Sequence, residues 1–228
     1  MASSSSSFAS DSQYRLRWKY DVFLSFRGVD TRRTFTSHLY EGLKNRGIYT
    51  FQDDIKLENG DSIPEELLKA IEESQVALVI FSKNYATSRW CLNELVKIME
   101  CKEENGQIVI PIFYDVDPSE VRKQTKSFAE AFTEHESKYA NDIEGMQKVK
   151  GWRTALSDAA DLKGYDISNG ARAWERREKE EKEEEKEKSN QGDHRGFSSG
   201  VIPIKLLKLL VVVDVVSCVV EVIVGCGT

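Results

Sequence analysis

Trp90 and Glu94 stand four residues apart in the run Ser-Arg-Trp-Cys-Leu-Asn-Glu-Leu-Val-Lys (88–97), where an apolar-periodic helix begins. On a helix that spacing sets both side chains on one face, about one turn apart. A flat ring beside a lone acid, just past the end of a buried strand, could hold and cleave a nucleotide. The same spacing also describes a packed ring next to a solvated charge. The pair therefore acquires meaning only from the elements that position it.

Those elements alternate. Tyr20–Phe26 reads as a first strand, a helix is expected around Arg33–Arg46, and Gly47 ends that helix as a C′ residue needing positive φ. Ile48–Phe51 is the second expected strand, and an acidic loop, Asp53–Ser62, leads to Pro64 in the first turn of a helix running to Ser74. Val76–Phe81 is apolar throughout, as a strand covered on both faces should be. Beyond the Trp90/Glu94 helix, Ile108–Tyr114 is a fourth buried strand, and Asp117-Pro118-Ser119 opens a turn and a short helix. Helices are expected over Phe128–Lys138 and Val149–Leu162; Gly164 ends the last one and Tyr165–Ile167 forms a short fifth strand. Such alternation predicts a parallel α/β sheet with right-handed crossovers and helices on both faces. Ligands in such sheets sit outside the carboxyl ends of the strands. The loops Ser25–Arg32, Asp53–Ser62 and Ser82–Trp90 fall at that end, which brings Arg27, Gly60 and Glu94 towards one rim.

A length of 228 residues fits one well-cored domain plus extra segments. The net charge of −6 lacks the basic footprint of a nucleic-acid binder, so no specific nucleic-acid partner is expected. Cys91, Cys101, Cys218 and Cys226 form no CxxC, and His38, His135 and His194 are scattered. Neither a metal site nor a His-based triad is expected, and the cysteines read as reduced intracellular thiols. Residues 1–17 are a Ser-rich leader expected to be disordered, with no basic n-region or apolar h-region. Residues 170–200 are a charged linker of mixed sign, and 201–228 an apolar tail. Val201–Gly225 is nearly the length of a membrane span, but Lys205, Lys208, Asp214 and Glu221 interrupt it. A central Asp costs about 2.5–3.5 kcal/mol on insertion. Membrane contact by 201–225 is the disfavoured alternative to an exposed β-rich tail.

Several longer motifs follow one another in a telling order: Tyr-Asp-Val-Phe-Leu-Ser-Phe-Arg-Gly-Val-Asp-Thr-Arg (20–32), Thr-Ser-His-Leu-Tyr (36–40), Thr-Phe-Gln-Asp-Asp (50–54) and Ala-Ile-Glu-Glu-Ser (70–74). Next come Ser-Lys-Asn-Tyr-Ala-Thr-Ser-Arg-Trp-Cys-Leu-Asn-Glu-Leu (82–95) and Pro-Ile-Phe-Tyr-Asp-Val-Asp-Pro-Ser-Glu-Val-Arg (111–122). Together they resemble the TIR (Toll/interleukin-receptor) domain of plant intracellular immune receptors, over about two-thirds of the chain. The resemblance implies a flavodoxin-like five-stranded parallel sheet and cleavage of NAD⁺ to nicotinamide and ADP-ribose or a cyclic isomer. NAD⁺ would be substrate, with no separate cofactor. Glu94 stands at the catalytic position. Arg27, Gly28, Val29, Asp30, Thr31 and Arg32, with Gly60 and Trp90, stand at nucleotide-contacting positions. Ser37 and His38 match a pair used in one symmetric self-association interface, and Gly164 lies near a second. Other TIR domains are the implied partners. The implied location is cytoplasmic, with the nucleus as a further compartment.

Chemistry explains why so sparse a site would suffice. Nicotinamide leaves NAD⁺ as a neutral molecule, so no second carboxyl need protonate a leaving oxygen, unlike ordinary glycoside hydrolysis. A carboxylate can stabilise the oxocarbenium-like centre that remains, and guanidinium groups suit the pyrophosphate. Each residue keeps a plainer alternative. Arg27 and Arg32 would pair with Asp30 or Asp53 at the surface, Gly28 and Gly60 would only make turns, Trp90 would be core, and Ser37 and His38 would be ordinary surface.

The chain also departs from the family pattern. After Tyr165–Asn169 the family continues with an amphipathic helix and an ATPase module, whereas here the charged run begins and no GxxxxGK[ST] motif occurs. That change reads as a truncated or alternatively spliced product and puts the second interface in doubt. The rival functional reading is a non-catalytic adaptor or decoy that binds other TIR immune receptors. Nucleic-acid binding or cleavage is the least favoured.

Overall fold

The computed structural model describes residues 18–52 and 64–167. The expectations for the leader, for the loop carrying Gly60 and for both C-terminal tails lie outside those residues. Within them the apolar runs become strands: β1 (Tyr20–Phe26), β2 (Thr50–Gln52), β3 (Ser74–Phe81), β4 (Ile108–Phe113) and β5 (Tyr165–Asp166). All pair in parallel in the order β2-β1-β3-β4-β5, the flavodoxin-like order. Phe26 pairs with Ile80 and Phe81 with Phe113, so the carboxyl ends of the three middle strands are level.

The helices are α1 (Gly28–Thr31), α2 (Ser37–Asn45), α3 (Glu65–Glu72), α4 (Arg89–Asn105), α5 (Pro118–Lys123), α6 (Ser127–Lys138) and α7 (Ile143–Ala160). Each face of the sheet has its own core. Phe23, Ala77, Val79, Phe81, Val109 and Phe113 pack with Leu67 of α3, Leu92 and Leu95 of α4, Phe132 of α6 and Trp152 of α7. On the other face Val22, Leu24, Phe26, Leu78, Ile80 and Ile112 meet Phe35, Leu39 and Leu43. Each such fully buried side chain contributes roughly 1.5–3 kcal/mol.

Most boundaries move by one or two residues, and three of the differences from the sequence reading have a clear physical reason. The stretch expected as a loop up to Arg32 is already helical from Gly28, and α1 continues into α2 through one π-helical turn, Arg32–Thr36. That turn is held inside by the Thr36 hydroxyl donating to Thr31 Oγ1 at 2.8 Å. The second strand starts at Thr50 rather than Ile48, because Gly47 (φ 76°) and the main-chain bond from Ile48 N–H to Leu43 carbonyl use those residues to close α2. The last helix starts six residues before Val149, at Ile143; its first turns carry almost no apolar stripe and Ile143 is 80 % exposed, so periodicity was silent there.

Two side-chain ties fix α4, the helix that carries Trp90 and Glu94. Ser88 caps its first turn by accepting from Cys91 N–H, and Asn93 Oδ1 accepts from the buried Trp152 indole at 2.8 Å, which joins α4 to α7. At the far edge Gly164 meets Pro111: a Cβ on residue 164 would lie 2.2 Å from the Pro111 carbonyl oxygen. Only glycine lets β5 approach β4 this closely.

Candidate active site

In the observed strand order, β1 is followed in sequence by β2 on one side, while β3 lies on its other side. The crevice above β1 and β3 is therefore the switch point, where ligands bind in open α/β sheets. Its floor is built from the last residues of the two strands. Ser25, fully buried in β1, donates to Glu94 Oε2 at 2.8 Å. The same hydroxyl lies 2.9 Å from the Tyr85 phenol, which donates to the Cys91 carbonyl at 3.1 Å. Tyr85 belongs to a 3₁₀ turn, Tyr85–Thr87, that delivers the chain from β3 into α4. Glu94 itself is 3 % exposed.

Burial and the nearby Cys91 and Glu94 push the Tyr85 phenol well above its ordinary value, so it stays protonated. Burial first, then Glu94, likewise push the Cys91 thiol upward, and its Sγ is directed at the Phe26 carbonyl, 3.6 Å away. Neither group is an activated nucleophile. Cys91 and Cys101 are both buried free thiols. Among the described residues no three His, Cys, Asp or Glu side chains could hold a metal ion together.

The α1 turn follows β1 at the same rim. Asp30 Oδ2 accepts from the Ser82 hydroxyl (2.5 Å) and the Asn84 N–H (2.9 Å), and Oδ1 accepts from Asn84 Nδ2 (2.9 Å). Asp30 thus staples the loop after β1 to the loop after β3. Its hydrogen bonds go to these partners rather than to the arginines of the plainer alternative. Arg32 lies over the Phe26 ring, 5.0 Å from its centroid, in the space that a Cβ on Gly28 would crowd at 3.2 Å. Arg27 sits at the turn itself and its field reaches the Cys91 thiol.

A five-stranded sheet with this switch point and this acid has recognisable relatives. The TIR domain model matches residues 19–199. The chain belongs to the TIR domain family. TMV resistance protein N of Nicotiana glutinosa is 68 % identical over 164 residues, covering 72 % of this chain, and disease resistance protein RPV1 of Vitis rotundifolia is 57 % identical over 148 residues, covering 65 % of it. The match takes in only 13 % and 10 % of those proteins, so the chain spans a small part of the length of its curated relatives. Among solved structures, the TIR domains of the activated Roq1 resistosome directly recognizing the pathogen effector XopQ are 54 % identical with a TM-score of 0.61, covering 66 % of this chain and 89 % of that one.

Within this TIR domain the nominated residues divide. Arg27, Gly28, Asp30, Arg32, Trp90 and Glu94 belong to the elements that frame the switch point. Val29 is 67 % exposed, whereas Thr31 is fully buried and spends its hydroxyl within the π turn. Trp90 is half-buried against the α4 side of the core, and its indole Nε1 has no hydrogen-bond partner among the described residues. On α2, His38 is exposed and the half-buried Ser37 donates to the Thr34 carbonyl. A separate groove of about 520 Å³ between α4 and α7, lined by Asn93, Val96, Lys148 and Trp152 among others, contains none of the nominated residues. The sequence reading missed Ser25 and Tyr85. Their signals were a hydroxyl inside an otherwise apolar strand end, and an aromatic with a polar tip immediately before the helix. No described helix is long and apolar enough to cross a membrane.

Proposed function

We propose that this TIR domain is an NAD⁺ nucleosidase of plant immune signalling, releasing nicotinamide with ADP-ribose or a cyclic isomer as the second product. The observation that carries the reading is Glu94, a carboxylate 3 % exposed at the switch point and hydrogen-bonded by Ser25. Burying a carboxylate is costly, and groups kept in so unfavourable a place cluster at functional sites.

In the proposed reaction the N-glycosidic bond breaks towards the pyridinium, whose nitrogen takes the electron pair, so nicotinamide departs neutral. Glu94 then faces the cationic ribose carbon, and its charge in a water-poor crevice stabilises that centre. Arg27 and Arg32, on either side of Gly28, would meet the pyrophosphate, with the exposed Val29 on the outer edge. The Trp90 ring would pack against a base or ribose, and its orphan indole N–H, which costs about 1–3 kcal/mol unpaired, would gain an acceptor. Asp30 and Thr31 act from behind by shaping the turn.

Glu94 is closed off in the single chain, which suits a site that opens when copies assemble. Ser37 and His38 on α2 and Gly164 by β5 are the proposed contact points with other TIR domains. Purified protein at high or tethered concentration, given NAD⁺ beside a Glu94→Ala control, tests the reading. Nicotinamide release at least about 100-fold above the variant is expected. Equal release from both proteins would end the catalytic claim and leave the adaptor reading.

A further inference from the structure

Two hydroxyl hydrogens serve three close oxygen pairs on the floor of the crevice. Three close oxygen pairs run in series: Glu94 Oε2 to Ser25 Oγ (2.8 Å), Ser25 Oγ to Tyr85 OH (2.9 Å) and Tyr85 OH to the Cys91 carbonyl (3.1 Å). Each pair needs one hydrogen between its oxygens to be attractive. Ser25 and Tyr85 bring one hydroxyl hydrogen each. With Glu94 ionised, Ser25 donates to the carboxylate, and the single Tyr85 hydrogen serves either Ser25 or the Cys91 carbonyl. One contact stays empty. With Glu94 protonated the whole series points the other way: Glu94 donates to Ser25, Ser25 to Tyr85 and Tyr85 to the carbonyl. All three contacts are then filled.

We propose that Ser25 and Tyr85 are positioning residues that hold the Glu94 carboxyl in both of its charge states, so that the carboxyl changes charge without changing place. In the terms of the proposed reaction, on which this role rests, the carboxyl meets substrate ionised and held by the Ser25 hydroxyl. The atoms balance: a proton taken up by Glu94 stays on the carboxyl, the Ser25 and Tyr85 hydroxyls rotate to redirect their own hydrogens, and no bond within either side chain is made or broken. Tyr85 suits the role because its ring is fixed edge-on against Phe81 at 5.0 Å and it is fully buried. The titratable groups that face the series are the neutral Cys91 thiol on α4 and the Arg27 guanidinium at the end of β1, besides Tyr85 on its turn and Glu94 itself. Cooperative strengthening along such a chain favours the fully filled state further.

Tyr85→Phe tests this, since it removes one oxygen and keeps the ring. In the ionised state the variant loses one hydrogen bond; in the protonated state it loses two. The Glu94 titration midpoint should therefore fall, by about one pH unit. The readout is the ¹³Cδ resonance of labelled glutamate, assigned with Glu94→Gln and followed from about pH 4 to 9 in the full chain. A midpoint that is unchanged or raised in Tyr85→Phe, or a wild-type carboxyl that stays ionised throughout, overturns the hold in two charge states. Ser25→Ala should lower kcat for nicotinamide release about tenfold or more with KM within about twofold, because the acid is misplaced and the substrate contacts remain. A kcat within twofold of wild type overturns the positioning role. The two readings fail separately. A shifted midpoint with no nicotinamide release from any protein keeps the hold in two charge states and removes the hydrolase. Release that depends on Glu94 with an unmoved midpoint does the reverse.

Discussion

Two carboxylates belong to the elements that frame the switch point, and they are held in different ways. Asp30, on the first turn of α1, is half-buried, and both its oxygens accept hydrogen bonds from Ser82 and Asn84, three in all. Glu94, on α4, is almost wholly buried and accepts from the Ser25 hydroxyl, which also lies 2.9 Å from the Tyr85 phenol. A saturated carboxylate next to solvent stabilises the loops it joins. A carboxylate taken out of water beside an under-supplied hydroxyl series costs stability, and that cost is the expected mark of a group kept for chemistry.

The sharpest way to break this comparison is to neutralise each acid in turn. Glu94→Gln should cut nicotinamide release at least about 100-fold while leaving the melting temperature unchanged or higher, because a buried charge is gone and the amide still fits. Asp30→Ala should do the converse first: a loss of about 2–3 kcal/mol, read by urea unfolding, with Tm lower by several degrees. Activity should then fall as a consequence of the loosened loops. If Glu94→Gln destabilised the domain and Asp30→Ala did not, the two roles would be exchanged.

Gly164 sharpens the same distinction at the opposite edge of the sheet. The resemblance places it near a self-association surface, yet a Cβ there would meet the Pro111 carbonyl at 2.2 Å. Gly164→Ala should therefore cost about 1–3 kcal/mol in a dilute, unassociated sample, by moving β5 off β4. A variant with full stability that fails only to self-associate would show the glycine to be an interface residue alone.

The sheet was legible because its strands are short apolar runs bounded by turn residues, and β3 and β4 are covered on both faces. β2, only three half-buried residues long, carries too little pattern to fix its start, and the local closure by Gly47 decided it. In the candidate site Glu94 was legible through its spacing from Trp90 and its place in a long motif. Ser25 and Tyr85 were not, since their meaning depends on strand pairing that brings residues 25, 85 and 94 together. The plainer alternative for Asp30 fell short for a related reason: a charge in a loop suggests an ion pair, whereas here the acceptor meets hydroxyl, main-chain and amide donors from the loop after β3.

The 3₁₀ turn shared by both carboxylates offers the smallest and most selective test. It is pinned by Asp30 at Asn84 and by His135 of α6, whose Nε2 lies 2.9 Å from the Ala86 carbonyl, while Tyr85 between them points at Ser25. Burial pushes the His135 imidazole below its ordinary value of 6.5, outweighing the hydrogen bond to Ala86 that favours the charged form; Arg89 and Lys138 act with burial, and Glu134 against it. The unfolded chain therefore takes up the proton first as pH falls, and between about 6.5 and the lower folded value it binds more protons than the native state. Stability contributed by neutral His135 is complete above that window, declines through it and is fully lost below it. Tm should drop as pH is lowered from about 7.5 through that window, and the drop should be shallower in His135→Gln. An equal slope in both proteins would assign the acid sensitivity to other groups.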